Sequence, residues 1–276
     1  HEEYELSTED INLNSSSVTT MAINLHTGSN LISVNVLPQN ILVEKVFESL
    51  GDNIIDVIGE GAATTQVESG IWIGSLSEIN GYDAFWLILS EDDIMLVTGD
   101  PIERNHVYQL HSGANLISYP YSYATPIIDA LPEGTECSIS GILGEGMAAV
   151  CIDDAGWLGS LTDFEGSNGY WFKTSSDISL TFNGCDDQEC ASLSRQVSQK
   201  MITNPEGYDF AQSTMQAFYF IEDIENIEIG DWILSYNGDK VIGARRWQGS
   251  IIDVPTMGDD GSDYTKGYIE AGTVPS

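Results

Sequence analysis

A nine-residue phrase that returns almost unchanged 85 residues later constrains this chain more than any other feature. Leu25-His-Thr-Gly-Ser-Asn-Leu-Ile-Ser33 reappears as Leu110-His-Ser-Gly-Ala-Asn-Leu-Ile-Ser118. The same offset carries Gly59-Glu-Gly-Ala-Ala63 to Gly144-Glu-Gly-Met-Ala148, Trp72-Ile-Gly-Ser-Leu76 to Trp157-Leu-Gly-Ser-Leu161, and Phe85-Trp86 to Tyr170-Trp171. Four blocks at one constant spacing mean two copies of a single module with almost no net insertion. Residues shared by the copies are expected to serve what both copies need.

Within a module the pattern is mostly that of strands. Asn30–Val36, Ile54–Ile58, Ala84–Leu89 and Ile94–Val97 are short β-branched or aromatic runs bounded by Gly, Asn and Asp. One helix is predicted over Gln39–Leu50, after Pro38, with Ile41, Val43, Val46, Phe47 and Leu50 near helical spacing and Gly51 as a stop. Its shorter counterpart is Thr125–Leu131, with Thr125 as N-cap and Pro126 at the first helical position. The Gly-Glu-Gly blocks read as tight turns that need φ > 0 at one or both glycines. Beyond Cys190 no copy exists: Ala191–Met201 is a helix candidate, and strands follow at Gln216–Ile221, Asp231–Tyr236 and Val241–Trp247. Asn237-Gly238-Asp239 between the last two predicts a hairpin. The expected fold is mainly β, with β-rich modules that each carry one short helix, in tandem, and a C-terminal β-sandwich-like domain. The expected boundaries are 1–21 for an arm or linker, 22–104 and 105–190 for the repeats, and 191–276 for the third domain.

Charge excludes several partners. The chain carries 43 acids against 9 bases, a formal charge of -34, and Lys45 is the only Lys or Arg among residues 1–100. Nucleic-acid binding needs clustered Lys and Arg and is not expected, and an anionic lipid surface would repel this chain. No apolar run approaches the ~18 residues of a membrane-spanning helix, so no membrane insertion is expected. Yet 42% of residues are apolar, a folding composition. Salt relieves the self-repulsion, because the Debye length falls from ~8 Å in physiological salt to ~3 Å at 1 M. A saline, marine setting fits.

The first residue is His1 and no leader precedes it, which suggests a matured, secreted chain; Val274-Pro275-Ser276 ends without a closing turn and suggests that the natural chain continues. Cys137 and Cys151 both belong to the second copy and align with Asp52 and Gln66 of the first, as a bridging pair would. Cys185 and Cys190 would then form a second, short disulfide; four buried thiols are the alternative.

Candidate chemistry is sparse. Gly144-Glu-Gly-Met-Ala-Ala149 satisfies G-x-G-x-x-A, but Cys151–Gly156 breaks any helix that would present amides to a pyrophosphate. His26 and His111 sit at equivalent positions, as structural residues of a repeat do, and no Gly-x-Ser-x-Gly or HExxH signature appears. No catalytic residue is expected, and the chain reads as a non-enzyme. Trp72, Trp157 and Tyr170 are candidates for stacking a sugar, but repetition argues for core or inter-module packing instead, because both modules must pack the same interior. Phe85 and Trp86, being neighbours on a strand, must face opposite ways. Asp253, Asp259, Asp260 and Asp263 around Gly258 and Gly261 make the densest oxygen-ligand segment, one that could curl about Ca²⁺; it lacks the D-x-D-x-D-G loop with its distal Glu, and a solvated acidic loop is the alternative.

The pattern Asn-Leu-Ile-Ser at 115–118, Gly-Glu-Gly-x-Ala-Ala at 144–149, Trp-x-Gly-Ser-Leu at 157–161 and Gly-Tyr-Trp at 169–171 resembles repeats in large surface or secreted proteins of marine bacteria. It is also similar to some of their phages' structural proteins. Gln216-Ala-Phe-Tyr-Phe, Gly230-Asp-Trp, Val241-Ile-Gly-Ala and Asp253-Val-Pro-Thr-Met-Gly258 resemble a β-rich extracellular unit found beside them. The first copy departs from the pattern at Asp83-Ala84-Phe85. The resemblance implies a secreted or cell-surface modular protein with no catalytic residues. The expectation is a structural or adhesive segment of a fibre, filament or lattice that self-associates. A carbohydrate-binding module for polysaccharide and a virion fibre or decoration protein are the alternatives.

Overall fold

The structure, a computed structural model, describes residues 18–135, 138–153, 155–184, 204–249 and 251–276. It is mainly β. The first repeat runs through β1 (Thr19–Leu25), β2 (Gly28–Ser33), β3 (Val36–Leu37), α1 (Val43–Val46), β4 (Ile54–Ile58), β5 (Ala63–Glu68), β6 (Ile71–Gly74), β7 (Ala84–Leu89) and β8 (Asp93–Pro101). The second runs through β9 (Tyr108–Leu110), β10 (Gly113–Ser118), β11 (Thr125–Pro126), α2 (Ile127–Ala130), β12 (Ile139–Gly144), β13 (Met147–Ile152), β14 (Gly156–Gly159), β15 (Asp163–Phe164), β16 (Gly169–Thr174) and β17 (Ile178–Leu180). The third unit holds β18 (Gln216–Ile221), β19 (Trp232–Asn237), β20 (Lys240–Arg246) and β21 (Ile252–Met257).

The duplication survives in topology. Each repeat forms a five-stranded antiparallel sheet, in the orders β2-β7-β4-β5-β6 and β10-β16-β12-β13-β14. Even the irregularity is copied: the register slips between Ile54 and Asp56 in one sheet and between Ile139 and Gly141 in the other. A bulge re-aims a strand, and keeping it in both copies marks it as part of the design. The Gly-Glu-Gly turns join β4 to β5 and β12 to β13, with Gly61 at φ +71° and Gly146 at φ +62°.

The cores differ in chemistry. In the first repeat alternate residues Met21, Ile23 and Leu25 of β1 and Met95 and Val97 of β8 pack with Ile32, Phe85, Leu87 and Leu89 in a largely aliphatic core. In the second repeat aromatic rings fill the space: Phe164 packs against Tyr119, Tyr170, Phe172 and Phe182, all buried. One scaffold therefore accepts two fillings, as cores do when total volume and patterning are kept.

Two helix expectations are corrected. Only Val43–Val46 is α-helical within Gln39–Leu50, followed by a 3-10 segment at Glu48–Asn53. The residues before it are taken by strand-like bonds: the Val43 amide donates to the Ser77 carbonyl at 3.0 Å and the Ile79 amide to the Ile41 carbonyl at 2.8 Å. Thr125 is not the cap of α2; it pairs with Phe164 in the β11–β15 ladder, and Pro126 takes the cap position. The helix candidate at 191–201 and residues 1–17 of the expected arm at 1–21 lie outside the described residues; Thr19–Met21 of that span belong to β1 and pair with β8.

Among the described residues the third unit holds two two-stranded ribbons, β18–β21 and β19–β20. The β19–β20 hairpin turns at Gly238-Asp239 with Gly238 at φ +61°, the type II′ geometry that suits the twist of paired strands. The ribbons meet backbone to backbone: a Cβ on Gly243 would lie 1.8 Å from the Pro255 carbonyl oxygen.

Candidate functional site

The repeated polar residues converge where the modules meet. The loop between β1 and β2 is stapled by Asn30: the His26 amide donates to Asn30 Oδ1 at 2.9 Å, and Asn30 Nδ2 donates to the His26 carbonyl at 2.8 Å. Asn115 repeats both bonds with His111, at 2.8 and 2.9 Å. An aspartate anchors each loop from the turn after β7 or β16, because the Thr27 amide donates to Asp92 at 2.7 Å and the Ser112 amide to Asp177 at 2.9 Å. The Thr27 hydroxyl and amide hold the Asp92 carboxyl below its usual range. Asn30 and Asn115 are buried. Asn30→Ala is therefore expected to cost about 1 kcal/mol in urea unfolding, and Asn115→Ala a similar amount. The exposed control Asn24→Ala should stay within about 0.5 kcal/mol of wild type, and equal effects at all three sites would contradict the staple.

So held, each histidine meets the glutamate of the other module. His26 Nε2 lies 2.7 Å from Glu145 Oε1, and Glu145 Oε2 accepts the Leu31 amide at 2.8 Å. Reciprocally, His111 Nε2 lies 2.8 Å from Glu60 Oε1, and Glu60 Oε2 accepts the Leu116 amide at 2.7 Å. Backbone bonds follow the same exchange: the Ser33 amide donates to the Ser167 carbonyl and the Ser118 amide to the Tyr82 carbonyl, at 2.8 and 3.0 Å. The modules are thus related by a pseudo-two-fold axis, with both clamps and both backbone bonds answered by their copies. Between the two clamps lies an apolar contact of Leu31, Ala84, Trp86 and Leu116, with Ile58 and Trp171 against it. Phe85 and Tyr170 turn the other way, into their own modules' cores, as adjacent strand residues must.

Electrostatics fixes the histidine state. His26 Nδ1 faces the Thr27 carbonyl at 2.8 Å and His111 Nδ1 the Ser112 carbonyl at 2.9 Å. A carbonyl and a carboxylate only accept, so both nitrogens of each ring must carry protons. Burial works against the charged form of His26, but the hydrogen bond and charge of Glu145 outweigh it and push its pKa up to about 9. His111 is raised too, by its bonds to the Ser112 carbonyl and Glu60.

The third unit grips the same turn from outside. Gln216 Nε2 donates to the Gly144 carbonyl at 3.0 Å, and the Gly146 amide donates to Gln216 Oε1 at 3.1 Å. Arg245 donates to the Gly146 carbonyl at 2.6 Å, to Asp253 Oδ2 at 2.8 Å and to the Asp253 carbonyl at 2.8 Å. Asp253 also accepts from the Ser160 amide and, at 2.9 Å, from the Ser160 hydroxyl. Tyr264 reaches the first module, its hydroxyl donating to the Leu89 carbonyl at 3.3 Å. Gly-Glu-Gly at 144–146 is accordingly the point where all three units meet.

The expected calcium ligands are not gathered there. Asp253 sits on β21 rather than in a loop, with no exposure, and its carboxylate is spent on Arg245 and Ser160. Asp260 accepts from the Thr214 amide at 2.9 Å and the Thr265 hydroxyl at 2.5 Å. Burial raises its pKa, but the donors around it prevail and bring it to about 2. Asp259 accepts the Gly261 and Gly267 amides, at 3.0 and 3.2 Å. These carboxylates close their loop by hydrogen bonding to its own amides and hydroxyls. Among the described residues no three His, Cys, Asp or Glu side chains, Asp263 included, are placed to hold one metal ion.

Nor do the aromatic candidates form a platform. Tyr170 is fully buried and its hydroxyl accepts the Glu165 amide at 2.7 Å, while Trp72 and Trp157 lean half-buried on their own modules' cores. Cys151 lies on β13 opposite Trp157; Cys137, Cys185 and Cys190 lie outside the described residues. Among the described residues no helix is long and apolar enough to cross a membrane. The residues that sequence reasoning missed are Glu60 and Glu145 as clamps, Asp92 and Asp177 as anchors, and Arg245 with Gln216. Comparison of the chain with protein-family models, curated proteins and solved structures finds no match.

Proposed function

We propose that the chain is a structural, non-enzymatic segment of an extracellular surface fibre, filament or lattice. What supports this reading above all is that the repeated His, Glu and Ser are consumed in joints between modules, while the repeated Asn holds the loops that carry the histidines. Three units wired to one turn suit a part that transmits load. A second support is the free edge of the first sheet. Ile71 and Ile73 on β6 are 50% and 64% exposed, and Val67 beside them on β5 is 51% exposed. In the second module the matching edge, β14, is followed at once by Ser160, which Asp253 of the third unit holds. An unpaired, apolar edge strand is a template for another chain.

Sedimentation velocity tests the reading. Self-association that rises with concentration is expected, weakened by Ile73→Lys, with and without Ca²⁺ to expose any role of that ion in assembly. A strict monomer in both conditions would count against it. A second reading, polysaccharide binding, is favoured by a cavity of about 390 Å³ between Trp171 and Leu143 on one side and Met215 and Tyr219 on the other. Glycan binding abolished by Tyr219→Ala, without self-association, would favour that reading instead.

A further inference from the structure

The two histidine clamps have a property that goes beyond a structural role. Each ring nitrogen faces an acceptor at 2.7 to 2.9 Å. Loss of one proton to solvent therefore leaves a lone pair aimed at a carbonyl or carboxylate oxygen, and the ring can no longer keep both contacts. The same carboxylates hold the Leu31 and Leu116 amides, so a displaced ring disturbs backbone bonds that cross the interface. Because the clamps are copies on either side of one apolar contact, the same change of pH acts on both.

We propose that the interface between the two repeats is a pH-released latch, closed while His26 and His111 are imidazolium ions and loosened when they become neutral. The groups facing each ring are of one sign. His26 meets Glu145 from the β12–β13 turn and Asp92 from the β7–β8 turn, and Asp163 and Glu165 line the groove it shares. His111 meets Glu60 and Asp177, with Asp83 near Glu60. Arg245 is bonded to Gly146, next to Glu145, but its charge is met by Asp253. With acids around both rings, the cation is the form each site selects.

The sign follows from linkage. Both pKa values are raised on folding, so the stabilisation is fully present below the unfolded value of 6.5 and is lost as pH rises through the folded values, about 9 for His26. Ring-nitrogen NMR of the intact protein should show His26 protonated at both nitrogens at neutral pH and titrating near 9, and His111 titrating above its ordinary value. His106, stacked on Tyr82 at 3.5 Å and lowered by burial, should already be neutral there. Hydrogen-exchange protection of the Leu31 and Leu116 amides, corrected for intrinsic rates, should fall about tenfold or more as the pH passes from 6.5 through 9. In His26→Gln/His111→Gln this fall should vanish. The proposal is overturned if either ring titrates at or below its ordinary value, or if both amides stay equally protected across the range. A double variant that keeps the wild-type pH dependence would overturn it too. The ring titration needs only wild-type protein, so a variant that fails to fold does not spare the proposal.

Discussion

Asp253→Ala is expected to destabilise the chain by roughly 3–5 kcal/mol, the largest effect of any single polar substitution considered. Asp253 has no exposure and Arg245 only 9%, so removing the carboxylate leaves a guanidinium buried without its counter-ion. The loss spreads, since the Ser160 amide and hydroxyl also give up their acceptor. These bonds join β21 to the loop after β14, so the third unit should loosen from the second module first. Urea unfolding followed by tryptophan fluorescence would then show an early, separate transition with a smaller m-value. Arg245→Met/Asp253→Leu should be much less damaging than the single substitution, because no charge is stranded. A cost below about 1 kcal/mol for Asp253→Ala would mean that the site is wetter than it stands here.

Gly169→Ala is expected to cost about 1–3 kcal/mol, which is unusual for so small a change on a strand. Positions 84 and 169 are equivalent in the two copies and meet near the pseudo-two-fold axis. A methyl on Gly169 would lie 2.6 Å from the Ala84 Cβ and 2.8 Å from the Ile32 carbonyl oxygen. The axis has room for one methyl, and the first copy has it. That is a physical reason why position 169 is Gly where the first copy has Ala84; nothing in the structure explains Phe85 in place of Tyr170. Adding Ala84→Gly should recover part of the loss, because one of the two close contacts disappears and the other stays. Thermal unfolding of the single and double variants measures this; no recovery at all would place the strain on the carbonyl alone.

The duplication is legible because self-similarity needs no structural knowledge, and the strands at 54–58 and 84–89 follow from their β-branched and aromatic runs; the run at 30–36 is instead divided at Val34-Asn35 between β2 and β3, which pair in different sheets. The joints were less so. Sequence spacing says that His26 and His111, or Glu60 and Glu145, play equal parts, but not that each partner lies in the opposite copy. A repeated acid beside a repeated histidine was the available signal, and only the crossing of modules around an axis turns it into a clamp. The helix at Gln39–Leu50 is shorter than apolar spacing predicts, because spacing is blind to competing backbone partners such as Ser77 for Val43 and Ile79 for Ile41. For the acidic run from Asp253 to Asp263, a count of oxygens does not show that Asp253 is buried against Arg245 and Ser160, or that Asp259 and Asp260 accept amides near their own loop. Pro255 concealed the strand there, since proline is rare within ladders, yet β21 has one ladder partner and carries it. The carbonyl of Pro255 accepts from Ser235 at 2.8 Å instead.

The central claim, that repeated residues join one copy to the other, is tested most directly by a double-mutant cycle between His26 and Glu145 at a pH where His26 is charged. The controlling cycle pairs His26 with Glu60, the glutamate of its own module. The account predicts coupling for His26–Glu145 beyond the ~0.3–0.5 kcal/mol scatter of independent sites, and additivity for His26–Glu60. Additivity in the first cycle with coupling in the second would contradict the crossed arrangement.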